Sequence, residues 1–380
     1  MNVLITNAIS FLGGVEIFAI KLGIGLAKLG HEVSFAVKSQ SRMEEELRKR
    51  GIVPQTLPMT GDLEPVSLYG LSKIMREKKI DITCTTCPRD FRLAGVMARL
   101  HGKRGVVFNM GTVWDPNKMT MPHNFKYFRS KFFFNLALMK GIANSVGGRD
   151  YVEQAWSIPR KQLEAIYNGV DLAIFDPTSV QRHALRKEFN FPDDATVVSM
   201  IARISPEKGQ GLLLDAAQHV LVNIPNTYFV IVGESTSDEY HRTLVSKLSN
   251  ISGHDHILFV GFRNDVPNVL ADTDVLVLPS SQEGLPNVAL EALAMKTPVI
   301  ASDVCATNEA VKDGVNGFLL KTPIDATELA AKLETLLSDN QLRTTMGERG
   351  RNLIEEQFNL ENNIKEYEAA FTRLLNEERP

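Results

Sequence analysis

Short apolar runs alternate along the chain with longer stretches in which apolar residues recur every three or four positions. Residues 3–6, VLIT, read as a strand; Gly13 and Gly14 form a turn; 15–29 carry helical spacing closed by Gly30; and 32–37 read as the next strand. This is a βαβ unit. Further strands at 81–85, 106–109 and 141–143 alternate with helical segments, the mark of a parallel sheet covered on both faces. The alternation breaks between 166 and 192, where YNGVDLAIFDPTSV is rich in turn residues, and resumes with strands at 196–203, 227–232, 256–260, 275–278 and 298–301. Helices are expected at 326–337, 341–356 and 360–375, the last with apolar residues at Ile364, Tyr367, Ala370, Phe371, Leu374 and Leu375 that need a partner surface. The fold class is α/β, with two doubly wound domains in tandem joined near 170–192.

Composition agrees with that division. At 380 residues the chain exceeds one comfortable core, and 44% hydrophobic with 23% charged residues is the balance of a folded globular protein. Three cysteines include Cys84 and Cys87 as a CxxC, but no second pair exists and the motif falls at a strand end, so its expected role is structural. The chain starts directly in a strand pattern with no basic leader, and no run of about 18 apolar residues occurs, which points to the cytoplasm. Charge is asymmetric: 24 Lys and Arg face 15 Asp and Glu up to Asp171, a balance of +9, against 18 and 30 afterwards, a balance of −12. Residues 123–141, HNFKYFRSKFFFNLALMKG, interleave cations with aromatic rings. This suits either a helix lying on an anionic membrane surface or a core helix with a solvated basic face. No nucleic-acid partner is expected.

Candidate chemistry sits in the loops that leave the carboxyl ends of the strands, where ligands bind in such sheets. Gly13 and Gly14 can bring backbone N–H groups close to a phosphate at a helix start, although a plain turn would use the same residues. In ARISPEKG, Arg203 ends a strand and Lys208 precedes a helix, two cations five positions apart that suit a diphosphate. SQEGLPNVALEALA, residues 281–294, sets Glu283 in a loop and Glu291 within a helix opened by Pro286 as its first residue. Carboxylates repel phosphate but accept paired hydrogen bonds from a vicinal diol, and a nucleotide sugar carries one diol on each side of its diphosphate. Asp272-Thr273-Asp274 matches the DxD of metal-dependent transferases but abuts a buried strand, so a structural role and no metal are expected.

Taken together, EGLPNVALEALAMKTPVIAS, GGVEIFAIKLGIGLAKLGHEV, IYNGVDLAIF, ARISPEKG, FVIVGE, FVGFRNDV, DVLVLPS and EAVKDGVNGFLL resemble the family-4 glycosyltransferases of GT-B architecture, two Rossmann-like domains facing across a cleft. The resemblance implies an acceptor-binding domain at 1–175, with a final helix at 360–380 packing back onto it, and a donor-binding domain at 190–359. It implies that Gly13 and Gly14 approach the donor diphosphate, that Arg203 and Lys208 hold it, that Glu283 contacts the donor sugar and Glu291 the ribose. Gly284, Leu285, Pro286 and Asn287 would lie along sugar and phosphate, and Phe262, Arg263 and Asn264 near the base. Glu16, Asn109 and Met110 are candidates on the acceptor side. The family usually has a histidine where this chain reads Asn109-Met110-Gly111, and commonly a glycine pair before the glutamate matching Glu309, where this chain reads VCATNEAV. The implied reaction is retaining transfer of a sugar from a nucleoside diphosphate sugar to a glycan or lipid-linked acceptor. Its setting would be lipopolysaccharide, capsule or other surface-glycan synthesis at the inner membrane face, with no cofactor. Alternatives on the same architecture are a nucleotide-sugar epimerase and a catalytically degenerate binding protein.

Overall fold

The computed structural model describes residues 1–61, 64–102, 104–108, 140–156, 158–235 and 237–376. The chain divides into two compact units, Met1–Gly169 with Glu361–Pro380, and Val170–Leu360.

The first unit carries β1 (Asn2–Asn7), β2 (Glu32–Lys38), β3 (Gln55–Leu57), β4 (Ile82–Thr85), β5 (Arg104–Phe108), β6 (Lys140–Ala143) and β7 (Leu163–Ala165). They form a parallel sheet in the order β3-β2-β1-β4-β5-β6-β7. The second carries β8 (Thr196–Ile201), β9 (Thr227–Val232), β10 (Ile257–Gly261), β11 (Val275–Leu278), β12 (Val299–Ser302) and β13 (Gly317–Leu320), again parallel, in the order β10-β9-β8-β11-β12-β13. Strands buried on both faces read as unbroken apolar runs, which is why VLVL of β11 is wholly buried. Apolar faces of the flanking helices, such as Leu213, Leu214, Ala217 and Val220 on one and Leu329, Leu333 and Leu336 on another, close the second core.

The final helix, Leu360–Asn376, returns to the first unit. Its Ile364, Tyr367, Ala370, Phe371 and Leu374 are buried, and the Tyr367 ring lies 5.5 Å from that of Phe18. Gly25 in the helix Gly14–Lys28 makes this approach possible, since a Cβ there would stand 2.2 Å from Ile364 Cδ1. Arg373 Nη2 donates to Glu164 Oε2 at 2.8 Å, and His31 Nε2 lies 2.6 Å from Glu368 Oε1.

The structure moves the expected boundary. Residues 170–175 belong to the second unit: Val170 N–H donates to the Phe358 carbonyl at 2.8 Å, Leu360 N–H returns to the Val170 carbonyl at 3.1 Å, and Arg351 Nη1 reaches the Phe175 carbonyl at 2.8 Å. Of the basic aromatic stretch 123–141, only Lys140 and Gly141, which open β6, fall among the described residues. No described helix is long and apolar enough to cross a membrane. Cys84 and Cys87 are free and buried, and burial next to the Asp90 carboxylate pushes both thiols well above their usual range, consistent with packing rather than redox chemistry.

Candidate functional site

In each sheet the chain first winds one way and then crosses to the other side of its starting strand. The reversal lies between β8 and β11 in the second unit and between β1 and β4 in the first. At such a point the two following loops diverge and leave a crevice above the carboxyl ends of the strands.

In the second unit these are the loop after β8, which carries Arg203 and Lys208, and the loop after β11, which carries Glu283. They are laced together. Ser281 N–H donates to the Glu207 carbonyl at 2.8 Å, and Gly209, at φ +81, lies so close to the other loop that a Cβ would meet the Pro279 carbonyl oxygen at 2.3 Å. The fully buried Gln210 latches the first loop from beneath, its Nε2 donating to the Arg203 carbonyl at 2.8 Å. Lys208 Nζ thereby comes to 2.7 Å from Glu283 Oε1, with only 16% and 13% of the two side chains exposed. Ser280 Oγ donates to the same carboxylate oxygen at 2.7 Å and is itself wholly buried. Arg203 differs: its side chain is 62% exposed and its nearest carboxylate, Glu207, is 3.9 Å away.

After Glu283 the chain passes half-buried Gly284 and buried Leu285 and Pro286 into the helix Asn287–Ala294. Pro286 is the N-cap residue rather than the first helical one; its carbonyl accepts Ala289 N–H at 3.0 Å, and its missing N–H costs nothing there. Glu291 follows in the second turn, half-buried. At the edge of the sheet, the turn after β10 holds Phe262 with 62% of its surface exposed and Asn264 exposed beside it. Arg263 is engaged elsewhere. Its Nε and Nη2 donate to the two oxygens of Asp265 at 2.9 and 2.8 Å, and its Nη1 to Glu188 at 2.8 Å. These bonds raise its already high pKa further and make it a brace for the turn.

Asp272 and Asp274 stand at the opposite, amino end of β11. Asp272 caps the helix Ala184–Phe189, accepting His183 N–H at 2.6 Å and Leu185 N–H at 2.8 Å. Asp274 accepts Val197 N–H at 2.8 Å, near Arg186 and Arg343. Both carboxylates are thus structural.

In the first unit, Gly13 caps the helix Gly14–Lys28, and its N–H donates to Glu16 Oε2 at 2.9 Å. The other Glu16 oxygen accepts from Asn7 Nδ2 at 3.1 Å. Glu16 is 2% exposed, and burial raises its pKa against these hydrogen bonds. It frames the glycine turn from inside and offers little surface to an acceptor. Asn7 Nδ2 also donates to Thr86 Oγ1 at 2.7 Å, and Asp90 accepts from Thr6 Oγ1, Thr86 N–H and Cys87 N–H at 2.7–2.9 Å. The loops after β1 and β4 are joined by this buried network. Asn109 and Met110 lie outside the described residues.

Sequence reading missed Ser280, Gln210, Asn7 and Asp90. Ser280, three residues before Glu283 in the same loop, was near enough in sequence to suggest the first. Gln210 reaches back seven positions to Arg203 and Asp90 caps Cys87 N–H three before it, whereas the Asn7–Thr86 and Thr6–Asp90 bonds span 79 and 84 positions with no local mark.

Two family profiles match the chain: "Glycosyl transferases group 1" over residues 181–353 and "Glycosyltransferase Family 4" over residues 12–174. The chain belongs to this glycosyltransferase family and has the GT-B fold. It is 28% identical over 303 residues, 77% of its length and 76% of the relative's, to the UDP-Gal:alpha-D-GlcNAc-diphosphoundecaprenol alpha-1,3-galactosyltransferase of Escherichia coli. It is 26% identical over 350 residues, 92% and 93% of the two chains, to the lipopolysaccharide core biosynthesis glycosyltransferase LpsE of Rhizobium meliloti (strain 1021). Among solved structures it superposes with a TM-score of 0.86 on Anabaena HepE in complex with UDP-glucose, at 20% identity over 98% of this chain and 100% of that one. The protein is therefore a glycosyltransferase of the kind engaged in glycan biosynthesis.

Proposed function

We propose that the protein transfers a hexose or related sugar from a nucleoside diphosphate sugar to a hydroxyl of a glycan or lipid-linked acceptor, with retention at the anomeric carbon. The observation that carries this reading is the meeting of Arg203, Lys208 and Glu283 on two laced loops at the β8/β11 reversal. Arg203 and Lys208 offset the negative charge that grows on the diphosphate as its bond to the sugar breaks, aided by the N-terminus of the helix Asn287–Ala294. Glu283 accepts from sugar hydroxyls and Glu291 from the ribose, with the exposed Phe262 ring beside the base. The acceptor oxygen bonds to the anomeric carbon on the face that the diphosphate leaves, and its proton passes to the departing phosphate oxygen. No protein nucleophile is needed, and no divalent cation, because the two cations supply the charge. The acceptor belongs to the first unit. Relatives that act on a diphosphoundecaprenol-linked sugar and in lipopolysaccharide core synthesis support an acceptor of this kind, met at the inner face of a membrane.

The test is turnover of a panel of nucleoside diphosphate sugars, uridine diphosphate hexoses first, followed by proton NMR of the released or transferred sugar with and without a chelator. An α-donor is expected to give an initial α-product at a rate the chelator leaves unchanged. A β-product, or conversion of the donor into its epimer, would contradict the reading.

A further inference from the structure

We infer that Glu283 restrains Lys208, so that the donor-free site grips a bare nucleoside diphosphate less tightly than its cations could. The inference rests on the proposed function and concerns the same site. Lys208 Nζ is 2.7 Å from Glu283 Oε1, and with 16% and 13% exposure the pair is largely withdrawn from solvent, where salt screens little. The contact is built rather than incidental. Ser280, wholly buried, holds the same oxygen at 2.7 Å, and the approach of Gly209 to the Pro279 carbonyl fixes the two loops against each other.

Two consequences follow from elementary electrostatics. A cation already paired with a carboxylate has less field to offer a phosphate, and the carboxylate itself repels an incoming diphosphate. Oε1 takes both the Lys208 and the Ser280 hydrogen bonds, which leaves Oε2 as the acceptor turned to other use. An intact donor compensates by giving sugar hydroxyl hydrogen bonds to Glu283. A diphosphate that has lost its sugar cannot. The Lys208–Glu283 pair therefore favours donor over spent product and speeds product release, a role separate from contacting the sugar. Arg203, exposed and only loosely paired, supplies the unrestrained part of the phosphate hold.

The experiment is calorimetric titration of the full chain with UDP, ADP and GDP, comparing wild type with Glu283→Gln, Lys208→Met and the double variant. Glu283→Gln is expected to bind the preferred nucleoside diphosphate about tenfold more tightly, about 1.4 kcal/mol, while its turnover with the nucleotide sugar falls. The gain should be smaller in the Lys208→Met background, because the part that acts through the pair is then lost and only relief of the direct repulsion remains. Glu283→Ala carries the same expectation should the glutamine variant misfold. Binding by the wild type with no gain on removing the Glu283 charge, or an equal gain without Lys208, would overturn the inference alone. Absence of nucleoside diphosphate binding to the wild type would overturn the proposed function and this inference with it.

Discussion

Asp90 is fully buried beneath the reversal between β1 and β4, and its carboxyl is pushed up to about 6 from an ordinary 3.8, first by burial and against hydrogen bonds from Cys87, Thr86 and Thr6. A group that holds its proton more tightly in the folded than in the unfolded state makes the folded state bind more protons between those two values. Its contribution to stability is fully present below about pH 4, is lost as pH rises towards 6, and is level above that. Asp90→Asn should remove this slope. Thermal midpoints taken from pH 4 to pH 7 are expected to show wild type losing ground to the variant across the lower part of the range, and parallel curves would contradict the assignment. The bonds that Asp90 accepts from Thr86 and Cys87 are local, but its bond from Thr6, 84 positions away, which joins it to β1, was not legible in the sequence. Lys208 and Glu283 were legible as members of one site, since both follow buried strands, yet their direct contact across 75 positions was not. Arg263, expected with its turn near the base, is held by Asp265 two residues on, a partner in plain view in the sequence.

Elements were easier to read than contacts. β9 and β11 stand where the apolar runs placed them, at 227–232 and 275–278, because a strand buried on both faces is marked along its whole length. The three-residue β3 and β7 carry too few positions to show a period, and β13 was passed over because GFLL sits inside a turn-rich stretch. The loop that presents Lys208 ends on Gly209, where a left-handed conformation and close packing coincide. Gly209→Ala should therefore cost more than the conformational penalty of about 1–2 kcal/mol, because the new methyl would press on the Pro279 carbonyl. Gly30 has φ +89 with nothing within 4 Å of a new Cβ, so Gly30→Ala should show the conformational penalty alone. The prediction is a larger drop in thermal midpoint and a loss of donor turnover for Gly209→Ala, and a smaller drop with turnover kept for Gly30→Ala. Equal drops and equal activities would show that the two loops are not locked together at this point.

On the scale of the whole molecule, the alternation of strands and helices announced two doubly wound units, and the turn-rich stretch after 166 announced the passage between them. What the pattern did not carry was the ownership of residues 170–175, which depends on backbone bonds to Phe358 and Leu360 at the far end of the chain. The hydrophobic pattern showed the final helix as an apolar stripe in need of a surface, and the family resemblance implied its return to the first domain; Gly25 and Phe18 supply that surface. The central claim is that the nucleotide of the donor is held by the second unit's reversal-point loops and the helix that follows Glu283. Calorimetric titration of Glu291→Ala with bare UDP tests it most directly, because the ribose belongs to the nucleotide and its contact involves neither the sugar nor the acceptor. The account predicts a loss of at least about tenfold in affinity, about 1.4 kcal/mol. An affinity equal to that of wild type would contradict it.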